Sequence, residues 1–329
     1  MKGFLMYSFG VISPYFINGT GHWPANIEWF FASCKANPTI DFHIITDDVS
    51  VNHWNHEKNI FIHIMTFEDC KKRILDIFDY AKINRPYKLC DYRHAYGIIF
   101  KDILGKYDFW ASCDCDLMFG NIREFFPDER LEQYDKMMVT GQFQISKNTP
   151  EVNNYYCLPR PADSKYKDFN WEKVSRNEGN FGYDEGTGVP MLVRENGKPI
   201  LWDMKMYANI HQRVKNGKHL YNHMVDKNEA ANRPFQYWHW KDGGIYHVDA
   251  LTKKEVPKLF IHFTERDILG DQYEGQTEIF ITQKSEFRST IKFKDTVVGW
   301  DFVRVMTKKT FIWIKWKLTH LKGKKSWEM

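Results

Sequence analysis

The chain has 329 residues, 16% of them aromatic, and a formal net charge of +4. That length holds one substantial core or two modest ones, the charge is too small to argue for nucleic acid, and no stretch reaches the roughly 20 uninterrupted apolar residues of a membrane span. With Phe 25, Tyr 17 and Trp 12, a Phe-rich core and exposed rings that stack on sugars are the two readings of the aromatic excess.

Phe4 to Phe16 is broken by Ser13-Pro14 and lacks a small-residue cleavage site, so Gly3 to Val11 reads as a first core strand and not as a signal peptide. A Gly/Pro loop follows, then a helix from Pro24 to Ala36 with Ile27, Phe30, Phe31 and Cys34 on one side. Phe42 to Thr46 and Ile60 to Ile64 read as buried strands, the first ending at Asp47-Asp48 and the second followed by a helix from Thr66 to Asp79. Strand alternating with helix at this spacing predicts a mostly parallel sheet covered on both faces.

Pro86 opens a further helix that ends near Leu104, and Tyr107 to Cys113 is an apolar strand leading into Asp114-Cys115-Asp116. Along a strand the side chains alternate, which sets Ser112, Asp114 and Asp116 against Ala111, Cys113 and Cys115. Paired carboxylates at a strand's carboxyl end, where open α/β sheets place ligands, suit Mg²⁺ or Mn²⁺ and hence a metal diphosphate. Asp-x-Asp is a short pattern, however, and loop aspartates also cap helices and close turns.

Beyond it come Ile122 to Phe126, a short helix near Glu129 to Tyr134, and the strand Met137 to Thr140. Residues 147–176, rich in Asn, Pro, Lys and Tyr, read as loops and short helices over an acceptor site. Asp184-Glu185 precedes Gly186-Thr187-Gly188 and a helix start, Phe235 to Trp240 with Gly243 to Val248 forms a hairpin, and Leu259 to Phe263 is a late strand. This organisation reads as one domain over 1–302 and a tail over 303–329.

The six cysteines lie in hydrophobic segments without disulfide spacing and read as free thiols in a reducing compartment, and Cys113-x-Cys115 lacks the second ligand pair of a zinc site. From Arg304 to Lys325 there are eight Lys or Arg and no acid, interleaved with Trp313 and Trp316. Such a segment suits an anionic membrane surface, with packing on its own domain or on a partner as the alternative.

Four stretches, PYFINGTGHWPANIEWFFASCKANPTIDFHIITDD, PYKLCDYRHAYGIIF, YDFWASCDCDLMFGNIREF and GQFQISKN, together resemble a bacterial family of polysaccharide-assembly glycosyltransferases with the GT-A fold. The resemblance runs from Ser13 to Asn148, with weaker echoes near Asp184 and His262. It implies an α/β GT-A domain, its mostly parallel central sheet flanked by helices. It also implies transfer of a hexose from a nucleotide sugar, a UDP-sugar by family bias, to a saccharide or lipid-linked acceptor. On that footing Asp114 and Asp116 hold Mn²⁺ or Mg²⁺ at the diphosphate, Asp114 also reaches the ribose, and His262 is a third ligand.

Lys88 and Arg93 are candidate cations for the diphosphate, Arg as a bidentate donor and Lys as a point charge. Asp47 and Asp48 are candidates for ribose or base recognition, or else turn and cap residues. Asp184 or Glu185 takes the place of the acceptor-side carboxylate: a general base if the enzyme inverts, a nucleophile or charge stabiliser if it retains. Likeness to glycogenin-like and mannosyl-type enzymes leans toward retention. The expected location is cytoplasmic, peripheral on the inner face of the membrane. Two rival readings are a haloacid-dehalogenase-type phosphatase, whose Asp-x-Asp normally follows the first strand, and a non-catalytic carbohydrate-binding protein. Donor hydrolysis with Mn²⁺ separates the three.

Overall fold

Three short apolar runs, each β-branched or aromatic at alternate positions, form the parallel heart of the chain: β1 (Phe9–Pro14), β2 (Asp41–Thr46) and β3 (Ile60–Ile64). Ile12, Phe42, Ile45 and Ile60 are fully enclosed. The computed structural model describes residues 6–203, 205–210, 214–215, 218–219, 236–263, 269–282 and 286–296. The expected tail over 303–329 lies outside them, and so does the end of the domain expected over 1–302.

The described residues divide into two compact units, 6–118 with 122–203 in the first, and 119–121 with the described residues from 205 to 296 in the second. In the first, β1, β2 and β3 are joined by β4 (Phe109–Cys113), β6 (Lys136–Thr140), β7 (Phe143–Lys147) and β8 (Ile200–Leu201) in a seven-stranded sheet. Between β4 and β6 the chain makes β5 (Leu117–Phe119), outside this sheet. The order is β3-β2-β1-β4-β7-β6-β8. Neighbours from β3 through β4 are parallel, β7 runs antiparallel to both β4 and β6, and β8 is parallel to β6. This is the mostly parallel, helix-flanked sheet expected of a GT-A domain.

One face of the sheet, through Ile12, Ile45 and Trp110, packs on a core that takes in Ile74, Leu89, Tyr92, Ile99, Tyr155 and Val193 from the connecting helices. Helix Ile27–Lys35 is anchored beside β3, where the Asn59 side-chain amide donates to the carbonyls of Cys34, Asn37 and Ile40. Helix Phe67–Leu75 is shorter than expected. Thr66 caps its start by accepting from Asp69 N–H, and it stops at Asp76 well before Asp79.

The segment expected as one helix from Pro86 to Leu104 is instead a ten-residue 3₁₀ helix, Pro86–Ala95, followed by the short helices Tyr96–Ile99 and Lys101–Leu104. A 3₁₀ helix repeats every three residues, so positions three apart eclipse. Leu89, Tyr92 and Ala95 form its core face, all buried in the same hydrophobic cluster. Lys88, Asp91 and His94 form a second face, also buried. Tyr87, Cys90 and Arg93 form the third, which opens toward solvent at Tyr87.

The second unit has its own six-stranded sheet, built around the hairpin Gln236–Lys241 and Gly244–Asp249, which matches the hairpin expected from the sequence. Strand Glu278–Thr282 pairs antiparallel on the other side of Gln236–Lys241. Strand Phe260–His262 of this unit pairs in parallel with Ala208–Asn209. The late strand expected over Leu259–Phe263 is therefore present. Among the described residues no helix is long and apolar enough to cross a membrane.

Candidate functional site

Strand β4 stops at Cys113, and the chain bends at Cys115 and Asp116, so the alternation expected to carry Asp114 and Asp116 on one strand face ends one residue early. Only Asp114 N–H continues the ladder, donating to Gln142 O at 3.0 Å. The bend leaves both carboxylates partly exposed while Cys113 and Cys115 stay buried. Ser13 Oγ donates to Cys113 O at 2.8 Å and lies 3.2 Å from Cys115 Sγ. Burial pushes the Cys115 thiol up to about 12. The motif thus offers carboxylate oxygens, with its thiols protonated and turned inward, which suits a hard cation over zinc.

Arg93 is the hub of the cluster. Its guanidinium pairs with Asp114 Oδ1, donates to Gly141 O, and reaches Asp184 Oδ2 at 3.3 Å. The sequence candidates Asp114, Arg93 and Asp184 therefore meet although they are far apart in the chain. Opposed carboxylates hold the Arg93 charge in place against its burial, which alone would lower its pKa. Gly141 is required by closeness: a Cβ there would stand 2.7 Å from Asp184 Oδ2. The turn bearing it follows a β-bulge between Met137 and Thr140, with Met138 at a φ of 68°. Bulges re-aim strands beside functional sites, and a positive φ at a non-glycine residue is strain the surrounding fold has to support.

Asp184 sits in a loop whose backbone is tied down before it. Asp91 accepts from Phe181 N–H at 3.0 Å and Tyr183 N–H at 2.9 Å, and Gly188 is forced because a Cβ would lie 2.0 Å from Tyr183 O. Burial raises Asp184 to about 7 against the pull of Arg93, with Glu185, Asp114 and Asp91 adding to the rise. A carboxyl that titrates near neutrality is what proton transfer at that pH requires. Glu185, next along the chain, is exposed.

Lys88 does not face a diphosphate. It is fully buried, and its three donors go to Asp91 Oδ2 at 2.9 Å, Val174 O at 2.9 Å and Gly179 O at 2.6 Å. An ammonium has three donors, so none remains for a ligand. A spacing of five places it one face round from Arg93 on the 3₁₀ helix. Asp47 and Asp48 both act as caps, the alternative weighed for them in the sequence. Asp47 accepts from Ile17 N–H at 2.7 Å and Asn18 N–H at 3.2 Å, and Asp48 caps helix Val49–His56 and accepts from Trp23 Nε1 at 2.8 Å. The short contact with Ser50, foremost, lowers the Asp48 pKa.

His262 lies in the second unit, buried on its strand, with its carbonyl accepting from Ile210 N–H at 2.9 Å. The sequence reading missed two residues of the first unit's site: Gly141 and Asp91. The three-residue apolar period of Pro86, Leu89, Tyr92 and Ala95 was the signal that assigns Asp91 to Lys88.

Residues 11–290 match the model of the family described as "Family of unknown function (DUF6625)". The chain belongs to that family. Among curated proteins, none matches. Among solved structures the chain is similar to mouse xyloside xylosyltransferase 1 in its apo form, at 7% identity and a TM-score of 0.37 over 62% of this chain and 88% of that one. It is also similar to the galactosyltransferase LgtC in complex with donor and acceptor sugar analogs, at 8% identity and a TM-score of 0.38 over 78% and 87%. A third is a glycosyltransferase involved in glycosylation of the major capsid of PBCV-1, at 8% identity and a TM-score of 0.31 over 79% and 94%. Identities of 7–8% transfer no donor, acceptor or site residue.

Proposed function

We propose that the chain is a metal-dependent glycosyltransferase that moves a hexose from a nucleotide diphosphate sugar, with UDP as the nucleotide, to a saccharide or lipid-linked saccharide in surface polysaccharide assembly. One observation carries the reading: Arg93 gathers Asp114 of the Asp-x-Asp bend and the buried Asp184, so an acidic motif suited to a cation and a carboxyl titrating near 7 share one guanidinium.

Asp114 and Asp116 would hold Mn²⁺ or Mg²⁺, with His262 as third ligand. A divalent cation, when bound, takes up charge that grows on a departing diphosphate. Arg93 fixes the orientation of Asp114. Asp184 accepts the proton of the acceptor hydroxyl as its oxygen bonds to the anomeric carbon and the carbon–phosphate-oxygen bond breaks, the electron pair leaving with the diphosphate.

A carboxyl poised near 7 favours this base role and thereby inversion. The retention implied by family likeness is the alternative, and the anomeric configuration of the product, read by NMR, decides between them. The basic tail over 303–329 would hold the enzyme to the cytoplasmic face of the membrane. The direct test is a thermal-shift panel of nucleotide sugars with Mn²⁺, where a donor at about 100 times its dissociation constant adds roughly 2.7 kcal/mol. Absence of any metal-dependent shift, together with absence of donor hydrolysis, overturns the proposal.

A further inference from the structure

The third face of the Pro86–Ala95 helix descends from solvent to the carboxylate cluster. Tyr87 is 65% exposed, Cys90 partly buried and Arg93 9% exposed, each one turn below the last. Arg93 Nη2 donates to Cys90 Sγ at 3.5 Å, and the same guanidinium holds Asp114 and Asp184. Tyr87 is the most exposed large apolar side chain among the described residues. Its backbone is held in place by the loop that delivers Asp184: Asn180 Nδ2 donates to Tyr87 O at 3.3 Å. Partial burial, then the acidic groups of Cys90, Asp184, Asp114 and Glu185, raise the Tyr87 hydroxyl above its ordinary range, as befits a ring placed beside those groups.

A large aromatic ring left in water at the mouth of a polar cluster forgoes burial of much apolar area unless something covers it. We infer that Tyr87 is the stacking platform for a pyranose ring of the acceptor, which lies on the aromatic face with one hydroxyl directed down the stripe toward Asp184. The inference rests on the glycosyltransferase reading and names what its acceptor side binds. Charge disfavours the donor's diphosphate at the ring. The carboxylates of Asp184, Asp114 and Glu185 all act on its hydroxyl, and Arg93 is already engaged by two of them, so a second anion is disfavoured there. A neutral sugar brings an apolar C–H face for the ring and hydroxyl donors for the carboxylates.

The test uses the full-length protein with UDP and Mn²⁺ and a panel of methyl α- and β-glucopyranosides and galactopyranosides, followed by saturation-transfer NMR. In the wild type and in Tyr87→Phe, the protons of one sugar face should receive the strongest saturation. Tyr87→Ala and Tyr87→Leu should weaken pyranoside binding about tenfold, the scale of one lost aromatic contact, while UDP still shifts the melting temperature. The leucine variant keeps an apolar side chain without the ring, which separates stacking from loss of local packing. Equal saturation in wild type and Tyr87→Ala overturns the assignment. So does a loss that falls on UDP, which would make Tyr87 a base platform, and so does a wild type that binds UDP and no pyranoside. A wild type that fails to bind UDP with Mn²⁺ refutes the glycosyltransferase reading itself.

Discussion

Two ion-pair clusters stand one face apart on the same 3₁₀ helix, and they are put to opposite uses. Lys88 and Asp91 are sealed, every donor of the lysine is satisfied by the protein, and Asp91 spends its oxygens on backbone N–H groups of the loop before Asp184. Arg93 joins two carboxylates of which Asp114 keeps part of its surface in water. The difference teaches how to tell a structural ion pair from a candidate site: completeness of the hydrogen bonding and access to solvent decide it, while charge alone does not. The sealed pair then serves the open one, because it fixes the backbone that carries Asp184.

Breaking the open cluster should cost activity. We expect Asp116→Ala to lower turnover by on the order of 10³, with divalent-dependent donor binding lost and the melting temperature nearly kept. Steady-state kinetics over a Mn²⁺ titration checks this, and full activity in excess chelator would remove the metal from the scheme.

Breaking the sealed cluster should cost the fold. Asp91→Ala leaves the buried Lys88 ammonium without its counter-ion and two backbone N–H groups without acceptors, a loss of about 3–5 kcal/mol. Urea unfolding measures it. A change below about 1 kcal/mol would mean that Lys88 and Asp91 are not sealed in solution.

Asp184 allows the contrast to be sharpened by pH. Its folded pKa is raised from 3.8 to about 7, chiefly by burial. The folded state therefore holds more protons than the unfolded one between those values, and this group's contribution to stability falls as pH rises through that window. Asp184→Asn should gain stability over wild type at pH 8, on the order of 4 kcal/mol, and lose the gain near pH 4, at the cost of turnover. Donor-to-acceptor transfer by the wild type should rise with an apparent pKa near 7 as the base ionises. Melting curves in matched buffers and a pH–rate profile provide both readings. The smallest effect belongs to a residue outside both clusters: Asp48→Ala removes a cap and should cost about 1 kcal/mol without altering donor affinity.

Much of the first sheet was legible in the sequence. Ile60 to Ile64 is a strand over those same residues, and the second strand begins one residue earlier than expected. Of the first strand expected over Gly3 to Val11, residues 3–5 lie outside the described residues; the strand found is Phe9–Pro14, carried past Val11 by the parallel pairing of Val11 through Pro14 with Phe42 through Ile45. The strand Phe143–Lys147 went unassigned, since Gln144 and Ser146 interrupt its apolar pattern and their burial depends on tertiary partners such as the Lys136 ammonium, which donates to Ser146 Oγ at 2.7 Å. For the site, Asp114, Asp116, Arg93 and Asp184 were chosen on residue type and motif position. Lys88, Asp47 and Asp48 were chosen on the same grounds, and only three-dimensional hydrogen bonding shows Lys88 sealed inside the fold and the two aspartates acting as caps. Residue type states what chemistry a side chain can do, and it carries no information on whether the fold has already used it.

The ten-residue 3₁₀ helix has a consequence for how this segment can change length. With three residues per turn, one inserted residue between Leu89 and Cys90 turns everything after it by about 120°. Arg93 would leave the stripe it shares with Tyr87, Asp91 would leave Lys88, and Tyr92 would leave the core, all in one step. A point substitution damages one column of this helix, whereas a single insertion or deletion misaligns all three. Only a change of three residues together restores the phase, so the segment from Pro86 to Ala95 should tolerate exchange of side chains far better than any shift in its reading of length.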